Sequence, residues 1–417
     1  MKDISIFGYG VTTKPIIEFL AKQGQKCVVF DDKFSGQSYD DFGNLLLPSS
    51  AFESQKSKLE ILSPGIPPYH QLILKAKNII SEYDYFYSLF DEDFSPLTVW
   101  ISGTNGKTTT TEMLTLLLGS HGAKSGGNIG VPLAELFVNR ATLWVLESSS
   151  FSMHYTQKAH PKLYLLLPVR EDHISWHGSF QAYISDKLKP LKLMESESFA
   201  IIPKEFSQTQ EVKNYKGKIV LYEDSKSLAL ELGIQIGDIH FTEPFLLDSI
   251  LALYASKLLF GETDIKTLNT FKVGKHRIEE FEDFKSRLWV DDSKGTNVDA
   301  TLEAIKRYSN KKIFLILGGD DKGTDQSPIF ELIRSLDVEV FAIGSNQEKL
   351  FILSKNYGVK VHRCADLKNA VCTIKKVLKM GDVALLSPAA SSLDQFSSYK
   401  QRGELFKQYA LEKNKGL

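Results

Sequence analysis

Between Thr98 and Thr111 the chain reads Thr-Val-Trp-Ile-Ser-Gly-Thr-Asn-Gly-Lys-Thr-Thr-Thr-Thr. An apolar run ends at Ile101, a turn bracketed by Gly103 and Gly106 follows, and a helical run continues from Lys107 through Leu114–Leu118. Backbone N–H groups in such a turn, and at the start of the helix behind it, converge on a phosphate. Lys107 would add a positive charge beside the outer phosphates, and the Thr108 hydroxyl offers an oxygen to Mg²⁺. The full Walker pattern has a glycine where Ile101 stands, so Gly103-Thr104-Asn105-Gly106-Lys107-Thr108 is a shorter variant. An ordinary strand-to-helix turn with an exposed lysine is the other reading of these six residues. The flanking strand and helix favour nucleotide binding.

Further chemistry collects at the ends of other apolar runs. Leu143–Leu146 closes on Glu147-Ser148-Ser149-Ser150. A carboxylate at a strand tip is a natural Mg²⁺ ligand, directly or through water; a helix-capping acid is the alternative. Leu163–Leu167 runs into Pro168-Val169-Arg170-Glu171-Asp172-His173, where His173 and nearby His177 are both candidates. The helix after them carries Asp186, Lys187, Lys189 and Lys192, and spacing alone makes those lysines a solvated face. Gly126-Gly127-Asn128-Ile129-Gly130 reads as a flexible loop with one amide. At the N-terminus Ile4–Phe7, Gly8-Tyr9-Gly10-Val11-Thr12-Thr13, a helical run and Cys27–Phe30 closing on Asp31-Asp32 form a βαβ opening, with Thr13 in place of the third fingerprint glycine. Ile61–Pro67 is a strand entering a rigid turn at the same sheet edge.

These residues need sheets to hold them. A chain of 417 residues exceeds one ordinary core. Alternating strand and helix patterns predict an α/β protein with parallel sheets. Three domains are expected: 1–92, Rossmann-like; 93–273, a P-loop mononucleotide-binding domain; and 274–417, again Rossmann-like. Asp91–Pro96 reads as the first linker. In the third domain Leu288–Asp291, Ile313–Leu317 and Val383–Leu386 are strands with polar groups at their ends, and Asn297 caps the helix after the first of them. A formal net charge of −1 gives no basic field for nucleic acid. Three cysteines, without a Cys-x-x-Cys, suit inert thiols in a reducing compartment. No apolar run reaches the ~18 residues of a membrane span, and no leader pattern precedes Ile4, so a cytoplasmic location is expected.

Taken together these motifs resemble the Mur ligases, the ATP-dependent amide-bond enzymes of peptidoglycan precursor synthesis. The resemblance runs from the βαβ opening to the C-terminus. It includes Gly103–Thr109, Asn128, Glu147 with Ser149, Glu171-Asp172-His173, Tyr183 with Lys187, His276-Arg277, Asp292-Ser293-Lys294-x-Thr296-Asn297 and Gly318-Gly319-Asp320-Asp321-Lys322. The closing Ser387-Pro388-Ala389 with Ser392-Leu393-Asp394-Gln395-Phe396 is similar to the D-glutamate-adding branch, and an Asp-Asn-Pro motif of the diaminopimelate- or lysine-adding branch is missing from this region.

The resemblance implies roles. Gly103, Thr104, Asn105, Gly106, Lys107, Thr108 and Thr109 would hold ATP phosphates, with Arg277, Asp292 and Lys294 contributing from the third domain. Thr108, Glu147, His173 and Lys187 would hold two Mg²⁺ ions, Lys187 as a carbamate formed with CO₂. Lys107, Lys187, His173 and Glu147 are thereby the implied catalytic residues. Val11, Thr12, Asp31, Asp32, Lys33 and Gly65 would hold UDP, and Asn128 and Ser149 the muramoyl part of UDP-N-acetylmuramoyl-L-alanine. Thr296, Lys322, Ser392, Leu393 and Tyr399 would take D-glutamate. The implied chemistry is activation of the acceptor carboxylate as an acyl phosphate, followed by attack of the amine, in a monomer whose third domain closes on its second.

Four departures stand out. Thr108 replaces a usual serine, Ser152 a common glutamine, and Tyr399 a phenylalanine. Thr242-Glu243-Pro244-Phe245 and Asp248 lie where the family has Glu-His-Asn-x-x-Asn, which alters how adenine and ribose would be held. Competing expectations are another Mur-type or folylpolyglutamate-type ligase and, in a different class, a nucleotide-binding switch module. Asn310-Lys311-Lys312-Ile313 lacks the aspartate that guanine recognition usually needs.

Overall fold

A computed structural model describes residues 3–412, leaving the ends of the expected first and third domains, residues 1–2 and 413–417, outside the described residues. The chain divides into two compact units, Met1–Phe271 and Lys272–Leu417. The first holds two six-stranded sheets and the second one.

The first sheet has the order Ser38–Tyr39, Leu45–Leu47, Cys27–Phe30, Ile4–Phe7, Leu59–Leu62, Ile79–Ile80, parallel except at its Ser38–Tyr39 edge. The strands Ile4–Phe7 and Cys27–Phe30 have the predicted bounds. The short strands Ser38–Tyr39, Leu45–Leu47 and Ile79–Ile80 were not foreseen, because two or three residues carry no usable periodicity.

The second sheet is wholly parallel: Lys218–Tyr222, Phe199–Pro203, Leu163–Leu166, Leu97–Ser102, Leu143–Glu147, Ala123–Gly127. Leu163–Leu166 and Leu143–Glu147 are buried at every position, as expected of parallel strands covered by helices on both faces. Gly126 and Gly127 belong to the edge strand Ala123–Gly127 rather than to a loop; a Cβ on Gly127 would lie 2.4 Å from the Glu147 carbonyl oxygen, so close approach to the neighbouring strand explains the glycine. The helix Phe245–Phe260 is apolar on all sides and correspondingly buried through most of its length.

One core cluster joins these two sheets. The helix Glu82–Tyr87 sits in it, with Tyr83 against Trp100 at 4.8 Å between ring centres and Phe86 against Phe19 at 5.4 Å. The Asp84 carboxylate accepts backbone N–H bonds from Gln157, Lys158 and Ala159 at 2.8–2.9 Å. The segment read as a linker is itself anchored: Phe94 is buried and lies beneath the Arg140 guanidinium, and Arg140 donates to the Asp93 carbonyl.

In the second unit the order is Glu279–Glu282, Leu288–Asp291, Val383–Leu386, Ile313–Leu317, Val338–Ile343, Val361–Ala365, parallel but for the Glu279–Glu282 edge. That edge strand, Glu-Glu-Phe-Glu, is too polar to announce itself. Among the described residues no helix is long and apolar enough to cross a membrane.

Candidate functional site

The turn Gly103–Gly106 leaves the C-terminal end of Leu97–Ser102, a central strand. Such ends, where strand order reverses, are where open α/β sheets bind ligands. Gly103 has φ +142°, and a Cβ there would lie 2.4 Å from Leu167 Cβ. Gly106, at φ +81°, begins the helix Lys107–Leu117 in a left-handed conformation. Thr104 binds the neighbouring strand-end loop, its N–H donating to the Pro168 carbonyl and its hydroxyl to the Arg170 carbonyl at 3.0 Å. Lys107 Nζ donates to the Gly103 and Thr104 carbonyls at 2.9 and 2.7 Å. Asn105 is half-buried in the turn, and Thr109 is buried in the helix behind it.

Register brings Glu147 to the same level: it pairs with Ile101 on one side and Gly127 on the other. Its buried carboxylate accepts from the Thr108 hydroxyl at 2.7 Å and from Asn128 Nδ2 at 2.8 Å. Hard oxygens on Thr108 and Glu147 within 2.7 Å of each other are the donor set that Mg²⁺ takes. Ser149, two residues on, caps the helix Ser150–Tyr155 by accepting from the Ser152 N–H.

Lys187 departs most from the plain spacing argument. It is not on a solvated face but 1% exposed, in the helix Phe180–Leu188. Its Nζ donates to the Gly103 carbonyl at 2.8 Å and the Ser102 hydroxyl at 3.2 Å, and lies 4.7 Å from the centre of the Tyr183 ring. Burial, reinforced by the charge of Lys107, holds the amine well below the ordinary lysine value. A neutral amine is the form that reacts with CO₂.

The two histidines separate. His177 is fully buried in side chain, with Nδ1 2.8 Å from Asp186 and Nε2 3.0 Å from the Ser150 hydroxyl. His173 is about one-third exposed, in a left-handed conformation at φ +54°, with its ring 4.7 Å from that of Phe151. Asp248 is buried against the turn, accepting from the Thr110 hydroxyl at 3.0 Å, and a Cβ on Gly106 would lie 2.4 Å from its Oδ1. Sequence patterns flagged Asp248 only as a departure; the His154–Asp186–His177–Ser150 chain carries no motif at all.

At the first sheet's edge the Asp31 carboxylate accepts from the Tyr9 N–H at 2.6 Å and the Lys33 N–H at 3.0 Å. Lys33 Nζ reaches both Asp31 and the Tyr9 carbonyl. Thr13 replaces the third glycine by closing the turn itself: its hydroxyl donates to the Gly8 carbonyl and accepts from the Gly10 N–H. Val11 is 91% exposed at the mouth of this turn, and Thr12 makes no capping bond. Asp32 pairs with His70 at 2.9 Å, and the neighbouring Ser49 and His70 side chains lower its carboxyl. The Gly65 and Ile66 carbonyls accept from Trp176 and Tyr155, so this edge is tied to the helices that follow Glu147 and His173.

In the second unit Asp291 ends one strand with Asp292 directly after it, and Ser387 follows another. Asp292 accepts from the Ser387 hydroxyl at 2.7 Å, and burial pushes its carboxyl up to about 7. Arg277 lies between two left-handed residues, His276 and Ile278, and His276 Nδ1 is held by Asp291 at 2.7 Å. Lys294 Nζ is 5.1 Å from the Tyr399 ring centre. The buried Arg402 guanidinium donates to Ser293 and to the Ala390 carbonyl, which ties these strand-end loops together. Ser392 is buried, while Thr296, Lys322 and Leu393 are exposed around the same strand ends.

A family model for the Mur ligase middle domain matches residues 101–243, the stretch holding the phosphate turn, Glu147, His173 and Lys187. The chain is 49% identical over 405 residues to the UDP-N-acetylmuramoylalanine–D-glutamate ligase of Campylobacter jejuni subsp. jejuni serotype O:23/36, covering 97% of this chain and 98% of that one. It is 47% identical over 419 residues to the protein of the same name from Helicobacter pylori strain ATCC 700392 / 26695, covering 98% and 99%. The crystal structure of the MurF ligase from Thermotoga maritima in complex with ADP shares the fold, with a TM-score of 0.58 at 18% identity over 85% of this chain and 88% of that one. On this likeness over almost its whole length, the chain belongs to the Mur ligase family.

Proposed function

We propose that this protein is an ADP-forming ligase that joins D-glutamate to UDP-N-acetylmuramoyl-L-alanine in peptidoglycan precursor synthesis. The observation that carries the reading is the likeness, at 47–49% identity over nearly the whole chain, to two proteins named for that reaction. The phosphate turn, Glu147 and the buried Lys187, gathered at one sheet edge, support it chemically.

In this reading the γ-phosphoryl group of ATP passes to the acceptor carboxylate to give an acyl phosphate. The D-glutamate amine then attacks the acyl carbon, and phosphate leaves. Mg²⁺, when bound, supplies positive charge between two anions that otherwise repel. Thr108 and Glu147 would hold it, with His173 and Lys187 completing the set for two ions. Lys187 would first take up CO₂, its neutral nitrogen attacking the carbon and losing a proton, which turns an amine into a carboxylate. Lys107 would exchange its carbonyl partners for phosphate oxygens, and the turn's N–H groups would orient the triphosphate. Asn128 and Ser149 would position the muramoyl end of the acceptor; Val11, Thr12, Asp31, Asp32, Lys33 and Gly65 would hold its UDP. Thr296, Lys322, Ser392 and Tyr399 would receive D-glutamate. The sheets are assigned to domains 1–92, 93–273 and 274–417 of a cytoplasmic monomer.

The test is ADP release by the purified protein with UDP-N-acetylmuramoyl-L-alanine, with and without D-glutamate, alongside L-glutamate, L-lysine and diaminopimelate. Strong stimulation by D-glutamate, with a labelled amide product, is expected. Stimulation by another amino acid, or phosphate release without an amide, overturns the proposal.

A further inference from the structure

Asp186 sits where three short helices meet. Its carboxylate lies 2.9 Å from His154 Nδ1 and 2.8 Å from His177 Nδ1. A carboxylate only accepts, so both imidazoles present Nδ1–H to it. His177 continues the chain through Nε2 to the Ser150 hydroxyl, 3.0 Å away. Ser150 and His154 stand four residues apart on one helix, Ser150–Tyr155, so they share a face. His177 ends the helix Ile174–His177, and Asp186 belongs to Phe180–Leu188.

Each of these helices adjoins one of the groups assigned to the metal. Ser150 follows Glu147 by three residues, Ile174 follows His173 directly, and Lys187 follows Asp186 directly. Phe151 packs between the two histidines, 5.5 Å from the His177 ring in a stacked arrangement and 4.7 Å from that of His173, so fixing His177 also limits where the His173 ring can go. We propose that Asp186, acting through His177 and His154, is a positioning residue that sets the mutual placement of Glu147, His173 and Lys187. It touches none of the reacting atoms. The inference rests on the proposed function for its metal site, and it adds a hub to that site.

The test uses the full chain with a non-hydrolysable ATP analogue and Mn²⁺, whose binding is read directly by electron paramagnetic resonance. Asp186→Ala should weaken Mn²⁺ binding by about 10–100-fold, the usual effect of removing a group that orients metal ligands. The KM for the UDP-linked acceptor should stay near the wild-type value while kcat falls. If that variant does not fold, Asp186→Asn and His177→Gln, which keep size and one hydrogen bond each, carry the same test with a smaller loss expected. Mn²⁺ affinity equal to wild type in a folded variant, with only its melting temperature lowered, overturns the inference. Wild-type protein that forms no amide overturns the functional reading instead, so the two failures are distinguishable.

Discussion

Replacing Glu147 by glutamine separates a structural carboxylate from a chemical one. In the fold Glu147 accepts two hydrogen bonds, from the Thr108 hydroxyl at 2.7 Å and from Asn128 Nδ2 at 2.8 Å. Hydrogen bonds to a charged group contribute about 1.5–3 kcal/mol each and neutral ones about 0.5–1.5. Glutamine keeps the shape and one acceptor, and the threonine hydroxyl can rotate to accept from the new amide. The structural loss is therefore about 1–3 kcal/mol, a drop in melting temperature of roughly 2–4 °C for each kcal/mol. Loss of the charge that holds Mg²⁺ acts on the transition state instead. A deficit of about 3–4 kcal/mol there means a rate lower by ~10²–10³. ADP release at saturating substrates, measured well below the melting temperature, would show that rate loss in a protein that is still folded. A Glu147→Gln variant that keeps more than about a tenth of the wild-type rate, a loss of under ~1.4 kcal/mol, would refute the assignment and leave Glu147 a structural acid.

Three further outcomes follow from particular contacts. Gly103→Ala should cost about 2–6 kcal/mol in urea unfolding, since it combines a positive φ with a Cβ 2.4 Å from Leu167 Cβ; an unchanged midpoint would contradict the geometry of the turn. Lys187→Ala should lose turnover and regain part of it when a short carboxylic acid is added, and full activity without the acid would end the carbamate role. Glu82 is buried, and burial pushes its carboxyl up to about 8 from an ordinary 4.5, the Leu133 N–H bond working the other way. The folded state therefore holds this proton more tightly than the unfolded state. Its contribution to stability is full below about pH 4.5 and is lost as pH rises towards about 8. Glu82→Gln should remove that part of the slope in urea midpoints, and an identical slope in the variant would show that the group is not held protonated.

Much of the fold was legible because buried parallel strands are largely apolar along their length. Ile4–Phe7, Cys27–Phe30, Leu288–Asp291, Ile313–Leu317 and Val383–Leu386 have the bounds the pattern predicts. The phosphate turn was legible because its glycines adopt left-handed conformations that other residues avoid. Edge strands were hidden: Glu279–Glu282 pairs through its backbone and leaves its glutamates partly in water, so no alternation of apolar residues marks it.

Lys187 shows where local reasoning ends. Three lysines at positions 187, 189 and 192 look alike in sequence, yet only Lys187 points into the core, towards the Gly103 carbonyl of a strand end 84 residues earlier. The same holds for the choice between His173 and His177 and for the meeting of His154, Asp186 and His177. Sequence by itself determined which backbone conformations are possible, which runs must be buried and which residue types could handle phosphate, because those depend on a residue and its near neighbours. Tertiary structure alone decided which amine loses its water, which imidazole is locked and which carboxylates come within hydrogen-bonding distance. Desolvation and Coulomb interaction act over a few ångströms of space, whatever the separation along the chain.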